Sequence, residues 1–214
     1  MKLIAVCGSA RKQGNTAIML QQVIEGARSA GAETEFVNLF DLNYQGCIAC
    51  YSCKLINGNS YGHCAVNDEL KPLLNAIEQA DAIVLGSPVY YGNLSGQMRS
   101  FTDRLLFQYL DYGATSKGSR PKDFRTALIA TMNVNDEIYV IRGFRDTLIN
   151  FSKTMERTLG SCELLPLTNT VQFDDYSKYS YHLPDIEEKS HRIEKISSAD
   201  LKNAFDLGVR LVKS

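Results

Sequence analysis

Tryptophan is absent from this chain, and only three histidines occur in 214 residues. With His63, His182 and His191 scattered, no H-E-x-x-H pair can hold a catalytic zinc, and no G-x-S-x-G elbow presents a nucleophilic serine. An excess of either charge is missing too. Lys and Arg number 23 against 24 Asp and Glu, so no net field draws the chain to nucleic acid or an anionic membrane. Long apolar runs are also lacking. The first, residues 3–7, is too short for a signal-peptide core and far too short to span a bilayer. These absences lead us to expect a cytoplasmic protein that binds neither nucleic acid nor membrane. No linker or internal repeat divides the chain. Its length and 44% apolar content suit one α/β domain over residues 1–214.

Six cysteines are present, four of them between Cys47 and Cys64. Without an export signal, disulfides are not expected. Cys7 and Cys162 sit alone in apolar runs and read as small core residues.

Hydrophobic periodicity alternates between strand and helix along the chain. Residues 2–7 (KLIAVC) read as a strand buried on both faces. Thr16 is placed to cap a helix whose Leu20, Val23, Ile24 and Ala27 form one stripe. Further strands are expected at 33–39, 82–86, 126–132 and 164–171. Further helices are expected from Asp68, at 97–110, at 144–159 and from about 199 to 212. A polar loop fills 111–124, and a Tyr-rich segment at 172–198 reads as a subunit-contact arm or a surface excursion. Alternating strands and helices imply a flavodoxin-like, doubly wound five-stranded parallel sheet with helices on both faces. Ligands of such sheets bind beyond the carboxyl ends of the strands. The loops from Gly8, Ser87 and Asn133 are therefore expected to form the site.

Residues 8–16 (GSARKQGNT) join a buried strand to a helix. A helix N-terminus offers free N–H groups and partial positive charge. Ser9, Arg11, Asn15 and Thr16 add further donors, a set suited to a phosphate monoester. The spacing is neither a Walker A loop nor a G-x-G-x-x-G fingerprint. After the third strand comes SPVYYGNLSG, residues 87–96. Pro88 stiffens it, Gly92 permits close backbone approach, and Tyr90 and Tyr91 supply faces for a flat ring. Thr131, Met132 and Asn133 offer a third edge.

These two strings, with Asp103-Arg104 in the following helix, resemble the NADPH-dependent FMN reductase and iron–sulfur flavoprotein superfamily over about residues 1–165. The resemblance implies non-covalent FMN. Ser9, Arg11, Asn15 and Thr16 would grip its phosphate. Pro88, Val89, Tyr90, Tyr91, Gly92 and Asn93 would line its isoalloxazine. Asp103-Arg104 reads as a structural ion pair. The resemblance also implies NAD(P)H as reductant and a homodimer or homotetramer.

Cys47-x2-Cys50-x2-Cys53-x10-Cys64 is the most distinctive local feature, spanned by a cysteine-rich loop at 44–67. Four thiolates suit a [4Fe–4S] cluster. The iron–sulfur flavoproteins carry a compact C-x2-C-x2-C with a fourth cysteine at this place, and the gap to Cys64 is longer here. A zinc site with His63 and a set of free redox-active thiols stay open beside it. The expected function is an FMN-dependent oxidoreductase with no protein general base. It passes electrons from NAD(P)H, or from ferredoxin where a cluster is present, to an unidentified small-molecule acceptor. A non-enzymatic electron carrier or redox sensor is the alternative.

Overall fold

The computed structural model describes residues 1–112, 124–181, 185–191 and 196–213. Most of the polar loop expected at 111–124 lies outside these residues, as do His182 and parts of 172–198. Five parallel strands run in the order β2 (Glu33–Asn38), β1 (Lys2–Cys7), β3 (Ala82–Tyr90), β5 (Arg125–Thr131), β6 (Cys162–Leu167). This is the flavodoxin-like doubly wound arrangement. A short strand, β4 (Asn93–Leu94), pairs antiparallel with the end of β3.

The period of two in the central strands explains why both faces are covered. In β1, Ile4 and Val6 enter one core while Leu3, Ala5 and Cys7 enter the other. Ile83 and Leu85 of β3 join the first core, and Ala82 and Val84 join the second. The first core is closed by α2 (Lys71–Gln79), α3 (Gly96–Tyr109) and α5 (Phe144–Leu159). The second is closed by α1 (Asn15–Ser29) and α7 (Ser198–Val212). Two short helices, α4 (Asp136–Ile141) and α6 (Ile186–His191), complete the set.

Several boundaries differ from the sequence expectation. Gly14, not Thr16, is the N-cap of α1. Thr16 instead turns inward and shares a 2.7 Å hydrogen bond with the Thr131 hydroxyl on β5. Asp68 precedes α2 by three residues and accepts from the Leu70 N–H. β3 does not stop at Gly86. Its pairing with β5 continues to Pro88–Thr131, and residues 89–94 turn back as a hairpin. The apolar run alone marked only the part of β3 that is buried on both faces. β6 starts at Cys162 and ends at Leu167, short of the 171 expected. Asn169 takes a left-handed φ of 52° there, which breaks the strand. The chain nevertheless stays beside β5, with Thr170 N–H donating to Met132 O and Asn169 N–H to Val134 O.

Candidate functional site

The carboxyl ends of β1, β3 and β5 are tied together before any ligand is considered. Ser95 caps α3, accepting from Met98 N–H, and donates to Gly8 O at 2.7 Å. Its own N–H donates to the Ser87 hydroxyl at 2.9 Å. Thr16 and Thr131 close the third side. The loops after the first, third and fourth parallel strands of the chain thus form one rigid rim.

An open cleft of about 170 Å³ lies on that rim. Ser9, Arg11, Asn15 and Thr16 line one end, with Gly14. Ser9 and Thr16 are buried, and no side chain caps α1. The first N–H groups of a 15-residue helix therefore face this end without a protein acceptor side chain. Arg11 Nη1 donates to Gln172 O at 2.7 Å, using one of its five N–H donors. Asn15 Nδ2 donates to Val171 O at 3.0 Å. This donor-rich, acceptor-poor end fits a phosphate monoester.

Pro88, Val89 and Tyr90 form a wall of the same cleft. Tyr91, Gly92 and Asn93 do not line it. They make the hairpin turn, where Tyr91 and Gly92 have φ of 52° and 79°. Tyr91 is fully exposed, and Asn93 Oδ1 accepts from the N–H of Leu94. A Cβ on Gly92 would stand 2.7 Å from the Phe144 ring, so glycine is required by both φ and space. A spacing of residues in a string does not reveal a hairpin turn, which sends successive side chains to different faces.

Thr131, Met132, Asn133, Thr170 and Gln172 complete the lining. Thr170 and Gln172 carry no sequence signal, being brought in by the run of chain beyond β6. Asn133 is held from the far side by a cluster built on the buried Lys189. Lys189 Nζ, with a side chain 0% exposed, donates to Asn133 O at 2.6 Å and Asn133 Oδ1 at 2.5 Å, and pairs with Asp185 at 2.6 Å. Burial would raise the Asp185 carboxyl, but the hydrogen bonds from Lys189 and Tyr181 outweigh it and bring it below the usual carboxylate value. Burial pushes the Tyr181 phenol up to about 12. The 172–181 stretch packs its own rings together, with Phe173 and Tyr179 stacked at 3.8 Å and Tyr176 buried.

The cysteine loop forms a second, separate pocket. Cys47, Cys50, Cys53 and Cys64 all line one small apolar cavity, with Ile48, Tyr51 and Phe107. Ala49 and Tyr51 take left-handed φ of 53° and 57° on either side of Cys50, which curls the loop. Arg104 forms the floor. Its side chain is fully buried, and it pairs with Asp68 at 2.5 Å, not with the adjacent Asp103. It also donates to Cys64 Sγ at 3.3 Å, Gln45 O and Val66 O. Adjacent residues on a helix point about 100° apart, so Asp103 cannot face the same partner. Hydrogen bonds from the Ser52 backbone and hydroxyl lower the Cys50 thiol, whereas burial raises Cys53. His63 is turned elsewhere, its Nδ1 3.3 Å from Glu78. Among the described residues no three Cys, His, Asp or Glu side chains converge on a single-ion site. Four thiolates are the donor set of a four-iron cluster, and four cysteines line this one cavity. Burial raises the two remaining thiols, Cys162 to about 11. Cys7 is fully buried, as expected, and Cys162 is half-buried.

No helix among the described residues is long and apolar enough to cross a membrane. The family described as NADPH-dependent FMN reductase matches residues 1–133. The chain is 38% identical to an iron-sulfur flavoprotein of Methanocaldococcus jannaschii over 104 residues, covering 49% of this chain and 51% of that one. An iron-sulfur flavoprotein of Archaeoglobus fulgidus is 35% identical over 106 residues, covering 50% and 46%. The chain spans about half the length of the curated relatives it matches. Among solved structures, an NAD(P)H:quinone oxidoreductase from Methanothermobacter marburgensis superimposes with a TM-score of 0.71 at 12% identity, covering 100% of this chain and 98% of that one. An FMN-dependent NADH-azoreductase from Bacillus anthracis, in complex with FMN, gives 0.64 at 15% identity, covering 100% of both chains. At such identities these two likenesses speak for the fold.

Proposed function

Since the chain belongs to the NADPH-dependent FMN reductase family, we propose that it is an FMN-dependent oxidoreductase driven by NAD(P)H. The observation that carries this reading is one cleft lined at one end by Ser9, Arg11, Asn15 and Thr16 and along a wall by Pro88, Val89 and Tyr90. When bound, FMN supplies hydride acceptance at its ring and onward release of electrons. The chain's part is to hold and to expose. Ser9, Arg11, Asn15 and Thr16 take the phosphate. Pro88, Val89 and Tyr90 flank one side of the ring, with Met132 and Asn133 across the cleft. Tyr90 is 58% exposed, so this end stays accessible, and donor and acceptor enter in turn. A planar acceptor such as a quinone or a free flavin suits an open cleft with an aromatic wall. The test is a purified sample mixed anaerobically with NADPH and with NADH. Bleaching of bound flavin by either supports an enzyme. Bound flavin that neither nucleotide reduces would leave an electron carrier and overturn the reductase reading.

We propose in addition that Cys47, Cys50, Cys53 and Cys64 hold a [4Fe–4S] cluster. Support comes from the shared apolar cavity, the cationic Arg104 beneath it and the names of the two relatives. A one-electron protein donor of the ferredoxin kind then joins the partners. Iron and sulfide assays on anaerobically prepared protein test this, together with Cys50→Ser. Cys50 is exposed, so the variant should fold, keep FMN and lose its iron. Zinc in place of iron, or four freely alkylated thiols in the anaerobic protein, would refute the cluster.

A further inference from the structure

The family match ends at residue 133, and Asn133 is also where a later part of the chain reaches the cleft. Four side chains close a ring of hydrogen bonds there. Asn133 Nδ2 donates to Tyr181 Oη at 3.0 Å. Tyr181 Oη donates to Asp185 Oδ1 at 3.0 Å. Asp185 Oδ2 accepts from Lys189 Nζ, which returns to Asn133 through both its carbonyl and its amide oxygen. An ammonium has three N–H donors, and its shortest contacts are these three, with Tyr181 Oη beside them at 3.5 Å. A fully buried lysine is rare and costly unless it is paired and hydrogen-bonded. Here its hydrogen bonds are directed at one loop residue, the carboxylate that neutralises it and the Tyr181 hydroxyl.

We infer that Tyr181, Asp185 and Lys189 are positioning residues that act through Asn133 to set the ring-binding edge of the cleft. The inference rests on the flavin reading of that cleft. Asn133 carries its backbone carbonyl and its side-chain amide in orientations chosen by the cluster, since Oδ1 is drawn to Lys189 and Nδ2 to Tyr181. Met132 and Thr131, which precede it, are buried and anchored to Leu167 O and to Thr16. The loop is thus held at both ends, by the sheet on one side and by the lysine cluster on the other. Releasing the cluster frees only the Asn133 end, so FMN affinity falls while the fold stays. The segment outside the family match thereby tunes the end of the cleft whose Pro88, Val89 and Tyr90 lie inside it.

The test is a double-mutant cycle on the full chain, with FMN affinity read by flavin fluorescence quenching and folding checked by circular dichroism. Lys189→Met and Asn133→Ala are each expected to weaken FMN at least fivefold. If Lys189 acts through Asn133, the double variant binds no more than about twofold worse than the weaker single variant. A merely structural lysine would lower stability and leave the folded fraction's affinity intact, or would give effects that multiply. Either result overturns the inference. Tyr181→Phe removes one hydroxyl without burying anything new and serves if Lys189→Met does not fold. It is expected to weaken FMN about threefold, and an unchanged affinity would overturn the inference by itself. Failure of the unaltered protein to bind FMN would instead refute the flavin reading.

Discussion

Arg11 and Arg104 carry the same charge and do opposite kinds of work. Arg11 is exposed beside the end of the cleft where the phosphate is proposed to sit, and its contact to Gln172 O leaves four N–H donors for an anion. Arg11→Ala should weaken FMN by about 1.5–3 kcal/mol and leave riboflavin, which lacks the phosphate, nearly unchanged. Fluorescence titration of both ligands checks this, and an equal loss for both would contradict it. Arg104 is buried and joins α3 to the cysteine loop through Asp68, Cys64, Gln45 and Val66. Removing one partner of such a pair strands the other, so Arg104→Met should destabilise the fold by about 3 kcal/mol. The Asp68 carboxyl gives the pair a pH signature. Burial alone would raise it, yet the Arg104 hydrogen bond and charge hold it below its ordinary 3.8. Its contribution is therefore complete above that ordinary value and is lost as pH falls through the lower folded value. Urea midpoints measured from about pH 5 downward should fall, and Asp68→Asn should show a smaller fall over the same range.

α1 and α7 meet backbone to backbone at two glycines. A Cβ on Gly208 would lie 2.0 Å from Val23 O, and one on Gly26 would lie 2.0 Å from Phe205 O. No side-chain rotation relieves a clash with a carbonyl, so the helices must separate. Gly208→Ala should destabilise by about 3 kcal/mol, read as a lower urea midpoint, with FMN affinity of the folded protein unchanged. The cleft takes only the first turn of α1, about 16 Å along the helix from Gly26. The cysteine loop is another element whose attachment shows only in three dimensions. Lys54 donates to Gln108 O and Leu110 O at the carboxyl end of α3, where a cation is favoured. Cys53 is buried beneath it. The loop is stitched to α3 by Lys54 and Arg104, while its outer thiols, Cys47 and Cys50, remain exposed.

Across the whole molecule, cofactor and fold stabilise each other, because the loops that line the cleft leave three different strands. A ligand that binds only the folded chain adds RT ln(1 + [L]/Kd), about 2.7 kcal/mol at a hundredfold excess over Kd. For a chain of this length that is a rise in melting temperature of about 5–10 °C. Riboflavin, without the phosphate contacts, should raise it less at equal concentration. The doubly wound sheet and the donor-rich loop at one end of the cleft were legible in the residues themselves. Apolar runs such as KLIAVC commit a strand to burial on both faces, and GSARKQGNT places donors at a helix start whatever surrounds it. These are local patterns, set by periodicity and by backbone groups that need partners. Which of those residues share a cleft was decided by packing. Tyr91 and Asn93 left the candidate wall because β3 runs two turns of pleat further and reverses in a hairpin. Arg104 found Asp68, 36 residues away, in place of its neighbour in sequence. Thr170 and Gln172 entered the cleft, and Lys189 came to rest against Asn133, because the chain beyond β6 folds back over the rim. Contacts between residues so distant have no periodicity to announce them. They follow from which surfaces the sheet and helices leave to be covered, and only the assembled structure defines those surfaces.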